Sequence, residues 1–159
     1  MTKKIEDVIS EKGFYAVKPK GMSMYPMLKP DCSDVLVVKI DAPLNIYDVP
    51  LYKRDDGKYV LHRILGKDSG GFICCGDNQT VLEHNVTEDM IVGRLESWYK
   101  NGKKHTVSDK GYKRYVWFWC KSLKRRSFFL ALIRFKWRLR GFCGGVYRKV
   151  FKRKVRKDG

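Results

Sequence analysis

Up to about residue 109, apolar residues fall in short runs separated by turn-forming clusters. Phe14-Tyr15-Ala16-Val17, Val35-Leu36-Val37-Val38, Tyr59–Leu65, Phe72-Ile73-Cys74-Cys75 and Met90–Tyr99 have the length and β-branched or aromatic content of strands. Val49-Pro50-Leu51-Tyr52 is a weaker strand, because Pro50 has no N–H to give a ladder and confines it to an edge or a strand start. Asp55-Asp56-Gly57-Lys58, Asp68-Ser69-Gly70-Gly71 and Asn101-Gly102 are the turns between them. A short helix is expected over residues 5–12, stopped by Gly13.

Beyond Lys110 the period changes. Phe128, Ala131, Leu132, Phe135, Leu139 and Phe142 share one helical face, and Val146, Val150, Phe151 and Val155 repeat that spacing further on. The pattern predicts a mainly β chain: an antiparallel β domain over 1–109, then a basic, aromatic helical tail over 110–159.

Charge sharpens that division. The formal net charge is +17, yet residues 1–109 hold sixteen Lys/Arg against sixteen Asp/Glu. The remaining eighteen basic residues face one acid, Asp158. The domain is neutral and the tail is cationic. The five cysteines fit no paired zinc spacing, and adjacent Cys74 and Cys75 in a strand point to opposite faces, so free thiols and no metal site are expected. The N-terminus turns acidic at Glu6-Asp7 where the apolar core of a signal peptide would begin. The run Phe128–Ile133 is far shorter than the roughly 20 apolar residues of a membrane-spanning helix.

The chemistry concentrates in four places. Gly21-Met22-Ser23-Met24-Tyr25-Pro26-Met27-Leu28 sets one serine in a turn, with Gly21 able to expose backbone N–H donors. His62 lies in the β-type run Tyr59–Leu65, and an imidazole with a pKa of about 6.5 suits a general base. Gly76-Asp77-Asn78 and Glu83 follow. A nucleophile, a base and two acidic candidates to orient that base are the components of nucleophilic acyl transfer. Asp77 also suits a turn, and the methionines also suit core packing.

The order of these segments resembles the signal peptidase I and LexA-like serine peptidase superfamily. The serine box matches residues 21–28, Asp34–Val38 is similar to the strand after it, and Asp48-Val49-Pro50-Leu51 to the next conserved segment. Val60-Leu61-His62-Arg63-Ile64 occupies the place of the base-bearing strand, and Gly76-Asp77-Asn78 is similar to the Gly-Asp-Asn box. The likeness covers about residues 14–97. It implies a β-rich peptidase fold with Ser23 as nucleophile and His62 as base, the pattern of the endoplasmic-reticulum and archaeal branch. It further implies Asp77 or Glu83 as orienter, with Asp77 slightly ahead, Met22 and Ser23 N–H groups at the oxyanion, and Gly21, Met24 and Pro26 against the substrate. No cofactor is implied. Three departures stand out: Gly21 replaces the usual serine, Tyr47 stands where a glycine is expected before Asp48, and the residues ahead of the serine box lead one to expect neither the family's N-terminal membrane anchor nor a DNA-binding helix-turn-helix.

In the tail, aromatic residues alternate with Lys and Arg. Trp117, Trp119, Phe128, Phe135, Trp137 and Arg138 are expected at an anionic membrane surface, which aliphatic helical stripes favour over nucleic acid. The expectation is a serine endopeptidase that trims a precursor or leader peptide on the cytoplasmic face of a membrane, held there peripherally. A catalytically silent peptide-binding module and a LexA-like autoprotease or regulator are the alternatives.

Overall fold

The structure is a computed structural model that describes residues 3–30, 33–136 and 138. The second tail helix expected over 146–155, together with Leu139, Phe142, Trp137, Cys32 and Cys143, lies outside the described residues.

Helix α1 (Ile5–Lys12) opens the chain, with Glu6 and Asp7 in its first turn, Lys12 in its last, and Ile9 buried. Those charges complement the helix dipole. Gly13 ends it at φ +80° and donates its N–H to the Ile9 carbonyl at 2.9 Å. Nine strands follow among the described residues: β1 (Phe14–Val17), β2 (Ser33–Val38), β3 (Pro50–Lys53), β4 (Tyr59–Leu61), β5 (Arg63–Asp68), β6 (Gly71–Cys75), β7 (Glu83–Val86), β8 (Ile91–Lys100) and β9 (Lys103–Thr106). Every pairing among them is antiparallel. A six-stranded sheet runs β1-β2-β8-β3-β4, with β9 also on β8, and a second sheet runs β5-β6-β7.

The long strand β8 organises the first sheet because it pairs with β2, β3 and β9. Its buried Leu95 and Trp98 join Val35, Val37, Leu51 and Ile9 in one core, and Tyr52, Ile64, Phe72, Cys74 and Val86 form a second. Pro50 is tolerated between two partners because it begins β3. Cys74, Cys75 and Cys120 are buried and form no disulfide among the described residues. Burial, first, and the nearby Glu83 carboxylate push the Cys74 thiol up to about 12.

Two expectations change. The run 59–65 is not one strand: it breaks at His62, where β4 leaves the first sheet's register and β5 enters the second. The compact unit that contains the sheets also extends past 109 to Leu123, and the described residues from Lys124 on belong to a second unit. Helix α2 (Lys110–Tyr115) and the π-helical turn Val116–Cys120 therefore belong with the β domain. Residues 123–136 are helical (α3). No helix among the described residues is long and apolar enough to cross a membrane.

Candidate active site

Ser23 sits in the turn that follows β1. Gly21 takes φ +87°, the left-handed region that glycine enters at little cost. Tyr25 donates its N–H to the Met22 carbonyl at 3.1 Å, Leu28 to the Met24 carbonyl at 2.9 Å, and the Tyr25–Pro26 peptide is cis. Buried Met24, Met27 and Leu28 anchor the turn in the first core. Lys100 donates Nζ to the Pro26 carbonyl at 2.8 Å and the Met27 carbonyl at 3.1 Å. The Ser23 carbonyl accepts the Asn78 N–H at 2.7 Å, which ties the serine turn to the Gly76-Asp77-Asn78 turn. Among the described residues, neither the Ser23 N–H nor its Oγ has a hydrogen-bond partner, so that N–H is available to a developing oxyanion.

His62 is 4% exposed, at the junction of the two sheets. Its Nδ1 lies 3.2 Å from Glu83 Oε2 and 3.3 Å from the Tyr52 hydroxyl. Tyr52 donates to Glu83 Oε2 at 2.6 Å, so its one proton is committed and cannot serve Nδ1. The arrangement therefore assigns the proton to Nδ1, donated to Glu83, and leaves the Nε2 lone pair free to accept. Arg54 grips the same carboxylate with Nε on Oε1 and Nη2 on Oε2, the latter at 2.7 Å. Burial pushes the His62 pKa below its ordinary 6.5, and Glu83 only partly opposes that shift. The ring is thus neutral at pH 7, as a base must be. Burial raises the Glu83 pKa, but hydrogen bonds from Arg54 and Tyr52 outweigh it and hold the carboxyl below its usual range. Burial and Glu83 together push the Tyr52 phenol far above its ordinary value, so it stays a donor.

Gly76 brings the base and the nucleophile segment together. A Cβ there would lie 2.7 Å from the Ser23 carbonyl oxygen, 2.9 Å from Gln79 Oε1 and 3.1 Å from His62 Nε2. Three groups crowd a space that only a hydrogen leaves open. Ser23 Oγ and His62 are not hydrogen-bonded to each other. Both line one cleft of about 690 Å³, with Gly21, Met22, Met24 and Gln79.

Asp77 has a different task from the one that ranked it first. Its carboxylate takes both arms of Arg63, Nε at 2.9 Å and Nη2 at 2.7 Å, and both side chains are fully buried. Tyr115 donates to the same carboxylate at 2.9 Å, and the Trp119 indole N–H to the Asp77 carbonyl at 2.8 Å. Arg63 reaches onward to the Tyr47 carbonyl at 3.0 Å and the Tyr112 hydroxyl at 2.7 Å. The carboxylate hydrogen-bonded to His62 is Glu83; Asp77 instead holds the 76–78 turn against β5 and α2. Tyr47, at the place of an expected glycine, adopts φ +78° and so keeps the glycine conformation at the cost of strain.

Other expected residues separate. Pro26 is not part of the cleft lining, and its carbonyl is spent on Lys100. Trp119 is buried with its N–H on Asp77, so it is not free to enter a headgroup layer. Trp117, Phe128 and Phe135 are exposed, as is Arg138. Among the described residues no cluster of His, Cys, Asp and Glu suits a metal ion.

Sequence reading passed over Tyr52, Arg54 and Arg63. Tyr52 in β3 and Arg54 just after it stand two apart, the spacing that puts side chains on one face of an extended chain, and that is the available signal. Nothing in the sequence distinguishes a fully buried arginine from a surface one. No protein-family model matches the chain, and no curated protein matches it significantly.

Proposed function

We propose that this chain is a serine endopeptidase of the signal-peptidase-like kind, acting on a precursor or leader peptide at an anionic membrane surface. The observation that carries the reading is the convergence of the Ser23 turn and the free His62 Nε2 beside Gly76, with Glu83 on the opposite ring nitrogen. Ser23 Oγ attacks the scissile carbonyl while His62 Nε2 takes its proton. Glu83 stabilises the imidazolium that forms, and the Ser23 N–H faces the oxyanion. The imidazolium then protonates the leaving amine, and water, deprotonated by the same nitrogen, releases the acyl group.

Membrane attachment is assigned to helix α3. Phe128, Leu132 and Phe135 are exposed at 62%, 48% and 60% on one helical face beside Arg134 and Arg138. Apolar side chains flanked by cations fit the headgroup zone of anionic lipid.

The test of catalysis is a serine-reactive fluorophosphonate. Covalent labelling of Ser23 in the wild type and its loss in His62→Ala are expected; an unlabelled wild type overturns the hydrolase reading. Peptide capture without hydrolysis is the second reading, favoured by the missing Ser23–His62 hydrogen bond, and an unlabelled protein that still binds peptide supports it. Co-sedimentation with phosphatidylglycerol vesicles tests attachment, which Phe128→Ser/Phe135→Ser should weaken.

A further inference from the structure

The walls of the Ser23 cleft carry one sign of charge. Lys18 and Lys20 line it from the segment leaving β1, and Arg54 and Lys58 from the β3–β4 hairpin. Arg54 and Lys58 are held across that hairpin by an N–H···O bond of 3.0 Å. No Asp or Glu is in the lining, while Met24, Leu28 and Leu51 supply an apolar floor. Arg54 is committed to Glu83, so the free positive field comes from the three lysines.

Their present partners are weak. Lys18 lies 3.7 Å from Asp34 with both side chains well exposed, and Lys58 lies 2.8 Å from Asp56, also in solvent. Exposed pairs of this kind contribute little and exchange readily. Lys20 has no ion-pair partner among the described residues. Lysines that line one cleft with low-dielectric sides concentrate a positive field in it. A ligand lying there meets lysines from two segments of the chain and no Asp or Glu in the lining.

Resting on the peptidase reading, we propose that the cleft selects an extended acidic peptide, one with Asp or Glu side chains flanking an apolar residue at Ser23. The carboxylates engage Lys18, Lys20 and Lys58, while the apolar residue meets the methionine and leucine side chains of the lining.

The experiment uses the full chain carrying Ser23→Ala, so that binding is read without turnover. Two decapeptides with a neutral dye differ only in four Asp/Glu positions changed to Asn/Gln, and anisotropy gives their Kd at low and high salt. The acidic peptide should bind about 10-fold tighter at low salt, with the gap closing at high salt as exposed charges are screened. Lys18→Glu/Lys20→Glu/Lys58→Glu, at exposed positions, should reverse the preference with an unchanged circular dichroism spectrum. Equal affinity for the two peptides, preference for the neutral one, or no binding of either overturns the proposal. So does loss of vesicle binding in the triple variant without any change in peptide preference, which would assign the lysines to lipid. Fluorophosphonate labelling of the wild type separates the two ideas: labelling with no acidic preference sinks only the charge selection, and acidic preference without labelling sinks only the hydrolase.

Discussion

His62 and Glu83, 21 residues apart in sequence, meet at 3.2 Å between Nδ1 and Oε2. They come from different elements: the junction of β4 with β5, and the first residue of β7. This contact fixes the tautomer, and the tautomer decides which ring nitrogen faces the cleft. Glu83→Gln removes the charge that stabilises the imidazolium, so Ser23 labelling should slow by about 10²–10⁴-fold. Because Glu83 raises the His62 pKa, the acid limb of the rate profile should also move to lower pH. A profile and rate like the wild type would remove Glu83 from the site.

Arg54 acts on the same ring with the opposite sign, since its charge lowers the His62 pKa. In Arg54→Met the acid limb should shift to higher pH. The pH dependence of fluorophosphonate labelling reads this directly, and a downward shift would contradict the assignment.

Stability should follow the same two groups. His62 and Glu83 both have folded pKa values below their ordinary 6.5 and 4.5. In that interval the unfolded chain binds more protons than the folded one, so stability rises with pH there. It is fully present above about pH 6.5 and falls as the medium is acidified through each folded value. Urea midpoints at pH 7.5 and pH 5 should show the drop, and His62→Ala should reduce it.

Asp77 and Arg63 form a fully buried ion pair. Removing one partner leaves the other charged and dry, which costs about 3–5 kcal/mol. Asp77→Ala should therefore unfold at much lower urea. A variant as stable as the wild type would show that Asp77 does not hold the fold.

Gly76→Ala tests the crowding at the site. The added methyl meets the Ser23 carbonyl, which is backbone and tied to Asn78, as well as His62 Nε2. The Ser23 turn must move away, so labelling should fall at least about 10²-fold, the loss that small misplacements of reacting groups produce. Retention of full reactivity would mean that the two segments are not in productive register.

Local patterns made much of the fold legible. α1 and its Gly13 stop, strands β1, β2, β3 and β8 and the turn at Gly57 follow from periodicity and turn chemistry, which act over a few residues. The division at His62 was hidden because a β-type run looks the same whether its ends pair in one sheet or in two. β7 was missed because Glu83-His84-Asn85-Val86 has little β propensity and exists through its pairing with β6. The boundary at 109 followed the charge, whereas the aromatic residues of α2 and its π-helical turn are held by hydrogen bonds to Arg63 and Asp77.

The amino-acid order alone specified a serine turn, a histidine in β-type sequence, two acidic candidates and a neutral domain ahead of a cationic tail, because each is a property of neighbouring residues. Only the tertiary structure decided that Glu83 rather than Asp77 meets His62, that Arg63 neutralises Asp77 in the interior, and that Trp119 is buried. Those outcomes depend on which strands pair and which charges lose their water together, and both are set by contacts between residues far apart in the chain.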